Sequence, residues 1–489
     1  MHAGRIQPVT GDRAWPLFDV ATTRAIERAA AAALPPHALM QRAGLAASRL
    51  ALAIAPHART VWIACGPGNN GGDGLEAALL LQRWGKSVTL TLEGDPAALP
   101  ADAAAAWARC TQAGLTVSTQ PPTRWDLCID ALLGIGSARP LQGAMATMAT
   151  RMQASEAPVL AIDVPSGLAA DTGAAKGVRA THTLALLTLK PGLFTASGRD
   201  ASGQVWFDDL GVAPSHAPAA WLAGPPPMQP RAHASHKGSY GDVAVLGGAP
   251  GMSGAAVLAA SGALHAGAGR VFLCPLDPSA PALVAGQPEL MVRDWRALPL
   301  ENLVVACGCG GGDAVAAVLP DVLPRSGALV LDADGLNAIA ADAALQAALQ
   351  QRGERALPTV LTPHPLEAAR LLGTTTPQVQ ADRIDAARAL ADHFGCAVVL
   401  KGSGSVVAAP GEVPRLNPTG NARLATGGTG DVLAGFTAAL LAGGSGAFAA
   451  ACAAVHRHGM LADRWPAHLP LTAGALARAW SANPAEAPR

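Results

Sequence analysis

Short apolar runs alternate with longer amphipathic stretches along the whole chain, the pattern of parallel strands covered by helices. In the first half, residues 60–65, 87–92, 125–130, 159–163 and 183–189 read as strands, with helices between them. The alternation restarts in the second half at 242–248, 270–274, 303–307, 328–332 and 396–401. These later runs are apolar at consecutive rather than alternate positions, so their strands are expected to be buried on both faces. Between the halves stand Pro214, Pro218, Pro225, Pro226, Pro227 and Pro230, which disfavour both helix and central strand. The expected organisation is a domain over 1–215, a Pro-rich linker over 216–234 and a second domain over 235–489. A chain of 489 residues accommodates two such domains, and no residue-level repeat relates them.

Residues 432–455 carry no charge, a run longer than the roughly 18 residues at which a spanning helix becomes a candidate. Gly443, Gly444 and Gly446 interrupt it, so two ordinary helices joined by a turn are expected instead. The start of the chain has no apolar stretch beside a basic one, and neither a secretory signal nor a lipid anchor is expected. Lys plus Arg and Asp plus Glu number 35 each, which leaves no electrostatic reason to expect nucleic acid or an anionic membrane as partner. The eight cysteines include no C-x-x-C pair and read as buried thiols of a reducing cytoplasm. A homo-oligomer acting on small molecules is the expected form.

Candidate chemistry begins at Gly66-Pro-Gly-Asn-Asn-Gly-Gly-Asp-Gly74, between a predicted strand and a helix predicted over 75–84. Such a turn aims backbone N–H groups at a phosphate. Two Asn and an Asp among five glycines exceed the needs of a tight turn and offer oxygens to a hydroxyl-rich ligand or a hard cation. Asp130 and Asp163 each close a predicted strand, where ligands gather in open α/β sheets. Each acid alone reads equally as a cap or turn former. Together, Asn69 to Asp73, Asp130 with Gly134 to Pro140, and Asp163-Val-Pro-Ser-Gly167 resemble the NAD(P)H-hydrate epimerase domain of bacterial bifunctional repair enzymes. The resemblance implies a Rossmann-like domain that interconverts the R and S epimers of hydrated NADH and NADPH (NADHX and NADPHX). By it, Asn69, Asn70, Gly71, Gly72, Asp73, Gly134, Ile135, Gly136, Ser137, Ala138, Arg139, Pro140 and Asp163 bind substrate. Asn70, Asp130 and Ser166 would hold K+. Asp163, beside Pro165, is the expected proton-transfer group. Ile135 stands where Thr is common in that family, and Ser137 where an apolar residue is.

The second half carries Lys237-Gly-Ser-Tyr240, a candidate entrance with the chain's one tyrosine, and two motifs placed after predicted strands, Thr362-Pro-His-Pro-Leu-Glu367 and Lys401-Gly-Ser-Gly-Ser405. Asn421-Ala-Arg-Leu-Ala-Thr-Gly-Gly-Thr-Gly-Asp431 runs into a helix predicted over 432–441. Successive glycine amides at a helix start form an anion hole, and an Asp at its edge can take a hydroxyl proton during phosphoryl transfer. The plain alternative is a glycine-rich cap with Asp as capping residue. With Leu331-Asp-Ala-Asp-Gly-Leu-Asn337, these segments resemble the ribokinase-like superfamily and, within it, ADP-dependent (S)-NAD(P)H-hydrate dehydratases. The fold class implied for the chain is thus α/β, two three-layer αβα domains, the second ribokinase-like. The resemblance implies that Ala255, Gly310 or Gly312, His364 and Asp431 contact the hydrate. Lys401, Gly402, Ser403, Gly404, Ser405 and Gly430 would bind the adenine nucleotide. It also implies ADP as co-substrate, Mg2+ as cofactor, and Asp431 as the base that activates the ring hydroxyl. Cys309 stands where Pro is usual and Gly311 where Leu is; without further clustered ligands, Cys307 and Cys309 read as a softer loop rather than a metal or redox site. A hydroxymethylpyrimidine- or pyridoxal-type kinase would share the Gly-rich segment but not the N-terminal motifs. A silent nucleotide-binding regulator would be expected to lose Asp163 or Asp431.

Overall fold

The strand Thr60–Cys65 shows why the apolar runs do not alternate. Val61, Ile63 and Cys65 point into one core with the helices Ala38–Ile54 and Asn69–Arg83, while Trp62 and Ala64 enter a second core with the helix Gly143–Gln153. Both faces of the sheet are covered, the three-layer arrangement expected. The computed structural model describes residues 5–136, 140–175, 177–227 and 233–480. The chain forms two compact units, Met1–Thr10 with Trp15–Trp221, and Gly11–Ala14 with Leu222–Arg489.

In the first unit the sheet runs in the order Gln7–Pro8, Gln204–Asp208, His182–Leu186, Val159–Ile162, Leu127–Ala131, Thr60–Cys65, Ser87–Leu92, Val117–Ser118. All neighbours are parallel except the edge strand Gln7–Pro8. Strand order reverses between Thr60–Cys65 and Leu127–Ala131, the switch point at which such sheets bind ligands. The strand expected over 159–163 stops at Ile162, because Asp163 has φ 66°, left-handed backbone that cannot continue a strand.

The second unit carries Met291–Val292, Arg270–Pro275, Asp242–Gly247, Val304–Cys307, Ala328–Leu331, Thr359–Leu361, Ala397–Leu400, Val406–Ala408 and Arg415–Leu416 in that sheet order, the last two antiparallel to their neighbours. Its switch point lies between Asp242–Gly247 and Val304–Cys307. Val330 and Val360 face the core that holds the helices Ser253–His265, Thr429–Ala442 and Ala447–Asp463, whereas Leu329, Leu331 and Leu361 are buried outside it. The uncharged run is the expected pair of helices about Gly443 to Gly446, and among the described residues no helix is long and apolar enough to cross a membrane. One expectation fails in the Pro-rich segment: Ala220–Leu222 is a strand, its Ala220 and Leu222 buried, since three residues free of proline suffice for extended pairing.

Candidate functional sites

The N-terminal glycine segment is not wholly a loop before a helix: from Asn69 onward it is the helix itself. Asn69–Arg83 begins six residues before the expected start at Leu75. Glycine is a poor helix former, and contact explains its presence. A Cβ on Gly71 would lie 2.0 Å from the Gly66 carbonyl oxygen, and one on Gly74 would lie 2.6 Å from Ala131 and 2.8 Å from Cys65. The helix therefore enters close against the switch point, and its first turn faces a cavity of about 620 Å³.

Asn69, Asn70, Asp73, Gly134, Ile135, Gly136 and Asp163 all line that cavity. Gly71 and Gly72 are buried behind it, where a Cβ on Gly72 would strike Met40. Pro140 is exposed and not among the lining residues, and Ser137, Ala138 and Arg139 lie outside the described residues. Sequence reasoning missed Arg24, Glu27, His37, Asp102 and Lys190, which also line the cavity. Lys190 carried a signal: it is a cation that closes an apolar run directly before a proline, Pro191. Its side chain is only 1% exposed, and its Nζ donates to Asp163 Oδ1 and to the Leu186 carbonyl at 2.7 Å. The Leu186 amide donates to the same Asp163 oxygen at 3.2 Å. Burial first, and the Asp163 charge second, push the carboxyls of Glu27 and Asp73 above the usual range, Asp73 well above it.

Asp130 is fully buried behind the cavity. Its oxygens accept from Ser166 N at 2.9 Å, Ser166 Oγ at 2.6 Å and Leu132 N at 3.3 Å, and burial raises its pKa despite these bonds. Leu133 N donates to Ser166 Oγ at 2.8 Å, and the next residue, Gly134, packs on Asn70, whose Oδ1 would be 3.1 Å from a Cβ there. Buried Asn70 Nδ2 has no hydrogen-bond partner. Asn70, Asp130 and Ser166 each carry a side-chain oxygen of the kind that could hold an alkali cation.

In the second unit the helix Thr429–Ala442 begins at the Gly-rich segment. Gly428 caps it at φ 89°, a conformation that favours glycine, and a Cβ on Gly427 would meet nothing within 4 Å, so the amide cradle is open to a ligand. Buried His458 anchors this turn by donating from Nε2 to the Thr429 carbonyl at 2.9 Å; burial depresses its pKa to about 4, which keeps it neutral. Nothing in the sequence distinguished this histidine.

Around the cradle stand the expected residues and one more. Lys401 Nζ lies 2.5 Å from Asp332 Oδ1 and 3.9 Å from Glu367 Oε2, and Thr362 Oγ1 donates to the same Asp332 oxygen at 2.8 Å. Burial lowers the Lys401 pKa, but Asp332 and Glu367 outweigh it and the net shift is upward. A Cβ on Gly430 would be 3.5 Å from Lys401 Nζ and 3.8 Å from Asp332 Oδ2, so the cradle, the lysine and this acid adjoin. Buried Arg383, which the sequence reading missed, donates to the Leu400 and Lys401 carbonyls at 3.1 Å each and fixes the lysine's backbone. Gly402 to Ser405 form the turn after that strand, with Ser405 Oγ donating to Gly402 O at 3.2 Å. His364 caps the helix Pro365–Leu371 through Nδ1, leaving Nε2 3.2 Å from Glu367; burial, then Lys401, lowers its pKa. Lys237–Tyr240 forms a 3₁₀ turn that packs on Gly269.

Burial first, then the Asp332 charge, push the Asp431 carboxyl up to about 7. Cys309 shares a hydrogen bond with it, and the following Gly310 and Gly312, both at positive φ, sit against Met252. A Cβ on Gly310 would be 2.8 Å from that of Ala255, so these two expected hydrate contacts adjoin each other next to Cys309. The cysteine pair does not act together: Cys307 ends its strand, whereas Cys309 Sγ lies with carboxylate oxygens of Asp332 and Asp431, all within 4.8 Å of one another. The clustered ligands that the sequence did not reveal are therefore present.

Fold and sites together define a chain with two separate small-molecule centres, each at the switch point of its own parallel sheet. Residues 36–192 match the family described as YjeF-related protein N-terminus, and residues 243–479 match the NAD(P)H-hydrate dehydratase family. The chain is 36% identical over 450 residues to the bifunctional NAD(P)H-hydrate repair enzyme Nnr of Escherichia coli (strain K12), covering 87% of this chain and 84% of that one. It is 46% identical over 254 residues to the ADP-dependent (S)-NAD(P)H-hydrate dehydratase of Neisseria meningitidis serogroup B, covering 50% of this chain and 84% of the relative. A crystal structure of the ADP/ATP-dependent NAD(P)H-hydrate dehydratase from Bacillus subtilis, co-crystallised with ATP/Mg2+, is 30% identical and covers 52% of this chain and 92% of that one, with a TM-score of 0.45. The chain belongs to the family of bifunctional NAD(P)H-hydrate repair enzymes.

Proposed function

We propose that the first unit epimerises the R and S forms of NADHX and NADPHX, and that the second dehydrates the S form to NADH or NADPH while converting ADP to AMP and phosphate. The observation that carries this reading is the convergence of Asp431, Lys401 and Asp332 on an open glycine cradle, in a chain that also places Asp163 on a 620 Å³ cavity.

In the dehydratase centre Asp431 takes the proton of the ring hydroxyl as the phosphoryl group of ADP is transferred to it; phosphate then leaves where hydroxide would not. A carboxyl pushed up to about 7 suits a base working near neutrality. Gly310, Gly312, Ala255 and His364 hold the hydrate, while Lys401 to Ser405 and Gly430 hold the nucleotide. Asp332, whose Oδ2 lies beside Gly430, offers a hard oxygen at the cradle, and Mg2+, which keeps phosphate and water ligands, would neutralise phosphate charge there while Asp431 stays free to act as base.

In the epimerase centre the hydrated ring's nitrogen lends electron density, and Asp163, held by Lys190, moves the proton. Asn69, Asn70, Asp73 and Gly134 to Pro140 surround the substrate, and K+ on Asn70, Asp130 and Ser166 would fix the loop that carries Gly134. Buried free thiols fit a reducing cytoplasm.

Purified protein given ADP, Mg2+ and a mixture of hydrate epimers should restore the full reduced-nicotinamide absorbance. Asp431→Ala should abolish recovery, and Asp163→Ala should leave the S fraction reactive while stranding the R fraction. Equal loss of both epimers in Asp163→Ala would sink the division of labour between the two centres.

A further inference from the structure

The proximity of Cys309 Sγ to carboxylate oxygens of Asp332 and Asp431 has a chemistry of its own. Among the described residues, no other three side chains of His, Cys, Asp or Glu come within 4.8 Å of one another in this way. The three donors come from different parts of the chain: Cys309 follows the strand Val304–Cys307, Asp332 follows Ala328–Leu331, and Asp431 lies in the first turn of Thr429–Ala442. Asp332 is already oriented, because Lys401 and Thr362 hold its Oδ1 while Oδ2 is the oxygen beside Gly430. Cys309 and Asp332 are almost fully buried, whereas Asp431 is partly exposed and marks the side of approach.

One sulfur and two carboxylates are the wrong donors for Mg2+ alone, which takes oxygen in octahedral geometry, but they suit a borderline or soft ion. Zn2+ accepts Cys and Asp together, and three protein ligands with an open fourth position make a familiar tetrahedral set. The three donor atoms already lie within 4.8 Å of one another, the gap an ion between them would close. We infer that this chain binds a borderline or soft divalent cation, of the Zn2+ or Cd2+ class, through Cys309, Asp332 and Asp431, and that the ion reversibly blocks dehydration. The thiol proton passes to solvent as the sulfur–metal bond forms, and no oxidant is involved. A metal on Asp431 occupies the lone pair that would take the substrate's hydroxyl proton, so the blocking effect rests on the dehydratase reading. Metal binding itself does not.

Co2+ serves as the probe on the full chain, because a thiolate–cobalt bond adds a charge-transfer absorbance that carboxylate ligation does not. The wild type should show this band at one equivalent, and Zn2+ should displace it. Cys309→Ser should lose the band, while substitution of the less buried Cys452 by Ser should retain it. Asp431→Asn should weaken Co2+ binding by more than the roughly 10- to 100-fold typical of losing an outer-shell partner. Zn2+ should inhibit ADP-dependent dehydration in the wild type, with chelator restoring it and excess Mg2+ not, and Cys309→Ser should resist. A band that survives Cys309→Ser, or no band in the wild type, overturns the site. A Cys309-dependent band in protein that never dehydrates the hydrate would instead overturn the functional reading and leave the metal site standing.

Discussion

Asp332→Asn isolates the electrostatic setting of Asp431. The donor oxygens of the two carboxylates lie within 4.8 Å, where two unit charges at an effective dielectric near 20 repel by about 3.5 kcal/mol. Lys401, 2.5 Å from Asp332, cancels part of that repulsion, so the net effect on Asp431 is smaller, about 1.4 to 2.7 kcal/mol, or roughly one to two pKa units. The substitution keeps the side chain's size and leaves the Lys401 charge unopposed by this neighbour, and both changes favour the ionised form of Asp431. A base must be deprotonated to act, so in the parent protein kcat/KM for dehydration of the S-hydrate should rise with pH through about 7. In Asp332→Asn that limb should move down to about 5 to 6. The assay is the initial rise of reduced-nicotinamide absorbance with ADP and Mg2+ over a pH series, and the position of the limb is read rather than the height of the plateau. A limb that stays near 7 in Asp332→Asn, or one that persists in Asp431→Asn, would refute the assignment of the titrating group.

Three further outcomes are expected. Lys190→Met leaves Asp163 without its buried partner, which should lower the stability of the first unit by about 3 to 5 kcal/mol and strand the R epimer; thermal unfolding and epimer-resolved chromatography check the two effects. Gly71→Ala drives a methyl group to 2.0 Å from the Gly66 carbonyl, and should cost about 1 to 3 kcal/mol and epimerisation while dehydration of pure S-hydrate continues. Replacing K+ by Li+ should slow epimerisation in the parent protein but make no difference in Asn70→Ala, as measured by the rate of R-to-S conversion.

The order of strands and helices and the glycine-rich segments that reach the cavity and the cradle were legible in the sequence, because apolar periodicity and glycine-rich turns are local properties. The start of the helix Asn69–Arg83 was not, because glycines disfavoured by propensity are retained for close packing against Gly66 and Ala131, residues brought near only by the sheet. Likewise Lys190 with Asp163, Arg383 behind Lys401 and His458 under Thr429 are partnerships across 27, 18 and 29 positions, set by where strands end rather than by spacing. Cys309 carries the same lesson: beside Cys307 in the sequence it read as a loop residue, and only the order of the sheet laid it against Asp332 and Asp431. Sequence by itself determined which chemical groups each half possesses. Tertiary structure decided which of them share a low-dielectric site, and therefore which carboxyl is pushed up toward neutrality and which is paired with a lysine.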